Sequence, residues 1–306
     1  MTSPGDAVVL EGLHLSYGST VALDGLGFRV PAGAITALLG PNGAGKTSTV
    51  EICEGYRRPD SGSVRVWGLD PRRDGAALRS RVGVMLQDGG IYASSRALPM
   101  LRHLAAFYAD PLDVDDLAAR LGLDSVRATY RRMSGGEKQR LALASAVVGR
   151  PDLVFLDEPS AGMDPRTRLA AWDLVEQLRR DGVTVVLTTH LMDEAERLAD
   201  HVVVVDHGRV VAEGSPAELT AGVDVLTFAA PEGLPLDTLA QLLGPGSVVT
   251  EQRPGHYRVE GDVGAHTLSA IGDWCSGQGV LPRELSTGRR SLEDVFLDLT
   301  GRDLRS

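Results

Sequence analysis

The apolar run Ile35-Thr36-Ala37-Leu38-Leu39 stops at Gly40-Pro41-Asn42-Gly43-Ala44-Gly45-Lys46-Thr47, and a helical pattern then carries on toward Cys53. These eight residues constrain the 306-residue chain more than any other stretch. They match G-x-x-x-x-G-K-[ST], in the strand–loop–helix setting that gives the motif meaning. The glycines let successive backbone N–H groups face a phosphate, and the helix N-terminus adds partial positive charge. In this arrangement Lys46 would bridge the β- and γ-phosphates and the Thr47 hydroxyl would ligate magnesium.

A second run, Leu153-Val154-Phe155-Leu156, leads into Asp157-Glu158. One carboxylate at the end of a buried strand can hold magnesium, and its neighbour can orient or deprotonate an attacking water. Val183–Leu187 and Val202–Val205 are further continuous apolar runs. Continuous rather than alternating apolarity predicts parallel strands covered on both faces. Ala171, Leu174, Val175 and Leu178 keep helical spacing, with Pro165 suited to the first helical position after Asp164. Strands alternating with helices predict an α/β sheet with crossover helices.

The two ends of the chain differ from this core. Val8 to Leu15 and Val21 to Val30 read as antiparallel hairpin strands around Tyr17-Gly18. Near Ala221-Gly222 the composition changes, after a capping box Ser215-Pro216-Ala217-Glu218 that starts a short closing helix. The expected domains are 1–222 and 223–306. The tail reads as strand 224–228, helix 236–243, strand 247–251, strand 256–260, helix 264–277 and strand 280–286. That is the βαββαβ order of a ferredoxin-like unit. A last helix begins at Ser291, with Leu292, Val295, Phe296 and Leu299 on one face.

Composition narrows the function classes. With 31 basic and 41 acidic residues the net charge is −10. So acidic a chain is a poor binder of bulk nucleic acid or anionic lipid through its overall field, and no nucleic-acid partner is expected. Only Lys46 and Lys138 are lysines, and both fall in glycine-bearing motifs. Two cysteines make no disulfide framework, no apolar run is long enough to span a membrane, and the first residues lack a secretory pattern. A cytoplasmic protein is expected.

Met133-Ser134-Gly135-Gly136-Glu137-Lys138-Gln139-Arg140 precedes the acid-bearing strand, with Ser134 and Glu137 spaced as a capping box. This stretch resembles the signature motif of ATP-binding-cassette (ABC) ATPases, with Met133 in place of the usual leucine and Glu137 in place of the usual glutamine. The resemblance covers residues 7 to about 220 in family order. It implies that Tyr17 stacks on adenine, that Gly40–Thr47 and Ser48 hold the phosphates, and that Gln87 senses magnesium, water and a membrane partner. It also implies that Thr47, Gln87 and Asp157 serve the metal, that Glu158 is the base, and that His190 contacts the γ-phosphate. Asp164, in Ser160-Ala161-Gly162-Met163-Asp164, is either the N-cap ahead of Pro165 or a separate functional residue. The end Ser291–Arg302 looks like that of ATPases serving ABC-2-type exporters of the daunorubicin-resistance-like group.

The resemblance implies a P-loop cassette fold: a phosphate-loop α/β core, an N-terminal antiparallel subdomain and a helical insertion around 88–149, followed by the small α+β domain. It implies an ATPase using ATP and Mg2+, powering export of a drug or secondary metabolite through a separate ABC-2-type permease at the cytoplasmic face of the membrane. Two copies would close over ATP, with Ser134, Gly135, Gly136 and Glu137 of one facing the phosphate loop of the other. The competing readings are a soluble cassette ATPase acting on ribosomes or DNA, and a nucleotide-binding subunit that does not turn over.

Overall fold

A computed structural model describes residues 5–85, 90–221 and 224–301. It divides into a unit running to Pro216 and a unit of Ala217–Asp298, the residues from Leu299 grouping with the first. The division precedes the composition change at residue 222, which itself lies outside the described residues.

The first unit begins β1 (Asp6–Tyr17), β2 (Thr20–Pro31), β3 (Ile35–Leu39), α1 (Lys46–Cys53), β4 (Ser61–Val66), α2 (Gly75–Leu78) and β5 (Val82–Met85). A helical stretch follows: α3 (Ala97–Ala105), α4 (Val114–Arg120), a 3-10 turn at Tyr130–Arg132, and α5 (Gly135–Val147). The chain then returns through β6 (Leu153–Asp157), α6 (Pro165–Arg180), β7 (Thr184–Thr189), α7 (Met192–Leu198), β8 (His201–Asp206) and β9 (Arg209–Gly214); the short α8 (Pro216–Leu219) contains the division between the units.

Two sheets form. The antiparallel one has order β2-β1-β4. The central one has order β5-β6-β7-β3-β8-β9, parallel except at β9, which pairs antiparallel with β8. Every residue of β3, β6 and β7 is buried, as their unbroken apolar runs require. β7 lies between β3 and β6, so the phosphate loop after β3, the acids ending β6 and the residues ending β7 emerge at the same edge of the sheet. Ligands bind at this carboxyl edge in open α/β sheets. The core joins both sheets: Leu13, Leu23, Leu26 and Phe28 meet Val50 and Ile52 of α1 and Leu38, Phe155 and Val203 of the central strands.

Helix α1 ends unfavourably. Glu54, at its C-cap, lines a cleft with Tyr56, Pro71, Leu78, Val82 and Val84. Burial, then the charges of Asp157 and Glu51, push its carboxyl up to about 8 from 4.5. A carboxylate at a helix C-terminus also opposes the dipole. The acid titrates higher folded than unfolded, so its penalty is absent below the ordinary glutamate pKa and grows as pH rises toward about 8. Glu54→Gln is therefore expected to stabilise the isolated chain by about 1–3 kcal/mol above pH ~8 and by almost nothing below pH ~4.5, after discounting for the part of the side chain that reaches solvent. Urea denaturation across that range checks it. A variant whose gain does not change with pH would contradict the assignment.

The second unit runs β10 (Asp224–Ala229), α9 (Leu236–Leu243), β11 (Val248–Arg253), β12 (His256–Gly261), α10 (Ala265–Gly277), β13 (Arg283–Arg289) and α11 (Leu292–Thr300). Its sheet has order β11-β12-β10-β13 with every pair antiparallel. Each of the two crossovers, β10-α9-β11 and β12-α10-β13, spans one intervening strand, which is the split βαβ arrangement. Phe228 stacks on Tyr257 and meets Trp274 edge-on, with centroids 5.1 and 6.4 Å apart. Trp274 Nε1 donates to Thr238 Oγ1 at 2.7 Å, tying α10 to α9. The last strand starts three residues later than its apolar run suggests. Val280 N–H closes the end of α10 on Cys275, and Pro282 has no N–H to offer a ladder. Leu281 is left 77% exposed.

Among the described residues no helix is long and apolar enough to cross a membrane.

Candidate functional site

The phosphate loop is built on backbone that only glycine tolerates. Gly45, the N-cap of α1, has φ +106°, and a Cβ there would lie 2.7 Å from the Ala22 carbonyl oxygen. A Cβ on Gly40 would lie 2.3 Å from the Val205 oxygen. Lys46 is buried, and its ammonium donates to the carbonyls of Gly40 at 2.6 Å and Pro41 at 3.0 Å. Burial lowers its pKa, against the opposing charges of Glu158 and Asp157. The Ala44 N–H closes the turn onto Pro41. Asn42, Gly43, Gly45, Lys46, Thr47 and Ser48 line one cavity of about 440 Å3 together with Tyr17, Thr20 to Ala22 and Glu158. Tyr17 stands at this cavity with its hydroxyl 3.0 Å from Ser48 Oγ.

The acids arrive from β6. Asp157 is 6% exposed and accepts from Thr47 Oγ1 at 3.3 Å and from Thr188 Oγ1. Burial raises its pKa; the hydrogen bond from Thr188 works the other way, and the neighbouring Glu158 charge adds to the rise. A hydroxyl and a buried carboxylate so placed make an oxygen donor pair suited to a hard divalent cation, which would also offset the cost of ionising Asp157. Glu158 sits at φ +49°, a left-handed position that its surroundings hold on both sides. Its N–H donates to Thr188, and its carbonyl accepts from Gln139 Nε2 at 2.6 Å. Its side-chain Oε1 lies 3.2 Å from Nδ1 of His190, just beyond β7, and both side chains remain partly open to solvent.

Ser134 caps α5. Its Oγ accepts from Glu137 N–H at 3.2 Å, and Glu137 Oε2 accepts from Ser134 N–H at 2.8 Å, completing the capping box. Gly136 fits closely under the loop after Glu158, where a Cβ would meet the Gly162 oxygen at 3.3 Å. The structure therefore gathers Tyr17, Gly40–Ser48, Asp157, Glu158 and His190 at one edge of the sheet. Ser134–Glu137 belong to a different element, and among the described residues no hydrogen bond or ion pair joins them to the phosphate loop. Asp164 caps α6, accepting from the N–H groups of Arg166 and Thr167, each at 3.1 Å. Gln87 lies outside the described residues.

Sequence reasoning missed Thr188 and Gln139. Thr188 is a fully buried hydroxyl directly after the apolar run Val183–Leu187, and that position was its one signal. Gln139 had none beyond its place beside the capping box, since its contact spans 19 residues of sequence and two elements.

Comparison with known proteins follows the same lines. The ABC transporter family profile matches residues 23–161. Daunorubicin resistance ATP-binding protein DrrA3 of Streptomyces coeruleorubidus is 38% identical over 98% of this chain and 97% of its own length. Nod factor export ATP-binding protein I of Paraburkholderia xenovorans is 34% identical over 99% of both. A solved ATP binding subunit of an ABC transporter superposes with a TM-score of 0.63 at 25% identity, covering 70% of this chain and 91% of that one. The ATP-binding cassette MJ0796 bound to ADP and Pi shares the fold, with a TM-score of 0.61 at 22% identity, over 68% of this chain and 98% of that one. A likeness that runs from end to end, and not through the phosphate loop alone, places this chain in the ABC transporter family, among its ATP-binding subunits.

Proposed function

We propose that this chain is the ATP-hydrolysing subunit of an ABC-2-type exporter, powering efflux of a drug or secondary metabolite through a separate membrane permease. The observation that carries the ATPase half is the convergence of Lys46, Thr47 and Glu158 on one cavity, with Tyr17 beside them. The export half rests on relatives named for daunorubicin resistance and Nod factor export, alike along nearly the whole chain, and not for ribosomes or DNA.

In this reading the loop N–H groups and Lys46 hold the phosphates, and Lys46 leaves the Gly40 and Pro41 carbonyls to do so. Thr47 and Asp157 would hold Mg2+, joined by Gln87, and the ion would neutralise charge on the phosphates. Glu158 orients the attacking water and takes its proton. His190, 3.2 Å away, fixes the carboxylate and faces the γ-phosphate. The capped N-terminus of α5, with Ser134, Gly135 and Gly136, supplies backbone N–H groups to ATP held by a second copy. Binding would close the two copies and shift the permease, and hydrolysis would release them. The working place is the cytoplasmic face of the membrane, reached through the permease.

Affinity capture of the tagged chain from detergent-solubilised membranes of its host tests the export half. A polytopic membrane protein recovered in stoichiometric amount is expected. Recovery with ribosomes in its place would overturn the reading.

The nucleotide machinery ends before the second unit. Among the described residues, those lining the cavity and those forming the core behind it lie between 7 and 210. A chain ending at Ala221 is therefore expected to fold and gain thermal stability with MgATP. An insoluble product, or one that nucleotide does not stabilise, would make the tail part of the cassette.

A further inference from the structure

Tyr17 is 43% exposed, yet its ring is held in two directions. Its hydroxyl bonds Ser48, on the first turn of α1. Across its ring lies the guanidinium of Arg57, with Cζ 4.8 Å from the centroid. Arg57 is itself anchored twice to one residue of α1. Its backbone N–H donates to the Glu51 carbonyl at 3.1 Å, and its Nε donates to Glu51 Oε2 at 2.5 Å. Arg57 does not line the 440 Å3 cavity; it borders a separate groove with Arg58, Arg65, Arg72 and Arg73. Whatever it does for a nucleotide passes through Tyr17.

We propose that Arg57, held by Glu51, is a positioning residue for the nucleotide base, clamping Tyr17 from one face so that a base stacks only on the other. This rests on the nucleotide reading of the cavity. A guanidinium is flat, permanently charged and weakly hydrated, so it can lie against a ring where an ammonium would keep its water. It attracts the negative face of the ring and draws electron density away from the opposite one, which favours stacking there. The ring is thereby ordered before nucleotide arrives, and less freedom is lost on binding.

The test is MgATP and tripolyphosphate binding, with kcat, for wild type, Arg57→Ala, Glu51→Gln, Tyr17→Leu and the Arg57→Ala/Tyr17→Leu double variant. A cation–π contact at a half-exposed site corresponds to a rise of about two- to five-fold in the ATP Kd of Arg57→Ala. Glu51→Gln should show a smaller rise. Saturated kcat should hold for Arg57→Ala and Glu51→Gln, and tripolyphosphate, which has no base, should bind these two as it binds wild type. In the Tyr17→Leu background Arg57→Ala should add nothing. An undiminished effect in that background, an equal loss of tripolyphosphate affinity, or no effect in wild type would overturn the role of Arg57. If Tyr17→Leu itself leaves ATP affinity untouched, the reading of Tyr17 as the base platform falls, and the proposal falls with it.

Discussion

Glu158→Gln is expected to bind MgATP as well as wild type while losing about 10²–10⁴ in the rate of phosphate release, the usual cost of removing a positioned general base. The amide has the size of the carboxylate, can still hydrogen-bond His190 and water, and keeps the φ +49° backbone, which is fixed by Thr188 and Gln139 and not by the side chain. It cannot take a proton. Binding is expected to survive because, in the proposed site, the phosphates rest on the loop and Lys46. Removing one negative charge beside them favours retention of ATP. Asp157→Asn should differ: it weakens the dependence on Mg2+ itself, because its carboxylate shares the Thr47 hydroxyl and carries the cost of burial. Rapid-quench phosphate release at saturating ATP separates the two. A Gln variant turning over near the wild-type rate would pass the role of base to His190 or to the substrate.

Lys46→Ala should abolish turnover and weaken MgATP binding by about 10–100-fold, the value of a charge-assisted hydrogen bond to phosphate. The side chain is buried at the head of α1 and carries two donors already aimed into the loop. The N–H cradle and Tyr17 remain, so residual binding is expected. Removing the ammonium also takes one donor from each of the Gly40 and Pro41 carbonyls, the latter keeping the Ala44 N–H, so thermal unfolding without nucleotide should be measured alongside. Titration with a fluorescent ATP analogue decides it. Wild-type affinity in this variant would mean that Gly40–Thr47 does not hold the phosphates.

The legible parts of this molecule were those whose cause is local. β3, β6, β7 and β8 announce themselves as unbroken apolar runs because both their faces are covered. The phosphate loop carries its glycines, lysine and threonine within eight residues. Missed were β4, β5 and β9. β9 and the second half of β4 alternate exposed and less exposed residues, β5 is four residues long, and all three lie at sheet edges; β4 and β5 pair with strands far along the chain, while β9 pairs with its neighbour β8. The site divides in the same way. Lys46, Asp157, Glu158 and His190 could be named from runs and motifs. The contacts that set their geometry, Thr188 to Asp157, Gln139 to the Glu158 carbonyl and Arg57 to Tyr17, link elements far apart in sequence, and only the fold brings them together. Asp164 shows the reverse case, a residue open to two readings whose contacts are those of a helix cap.

In the proposed function, hydrolysis takes place between two copies of this chain, each completing the other's site. The mass of the Glu158→Gln protein, measured by light scattering with MgATP and again with MgADP, tests it most directly. A dimer retaining two ATP molecules is expected in the first case and a monomer in the second, with the dimer lost when Ser134→Arg blocks the capped end of α5. A monomer that holds one ATP and stays monomeric at every protein concentration would contradict it.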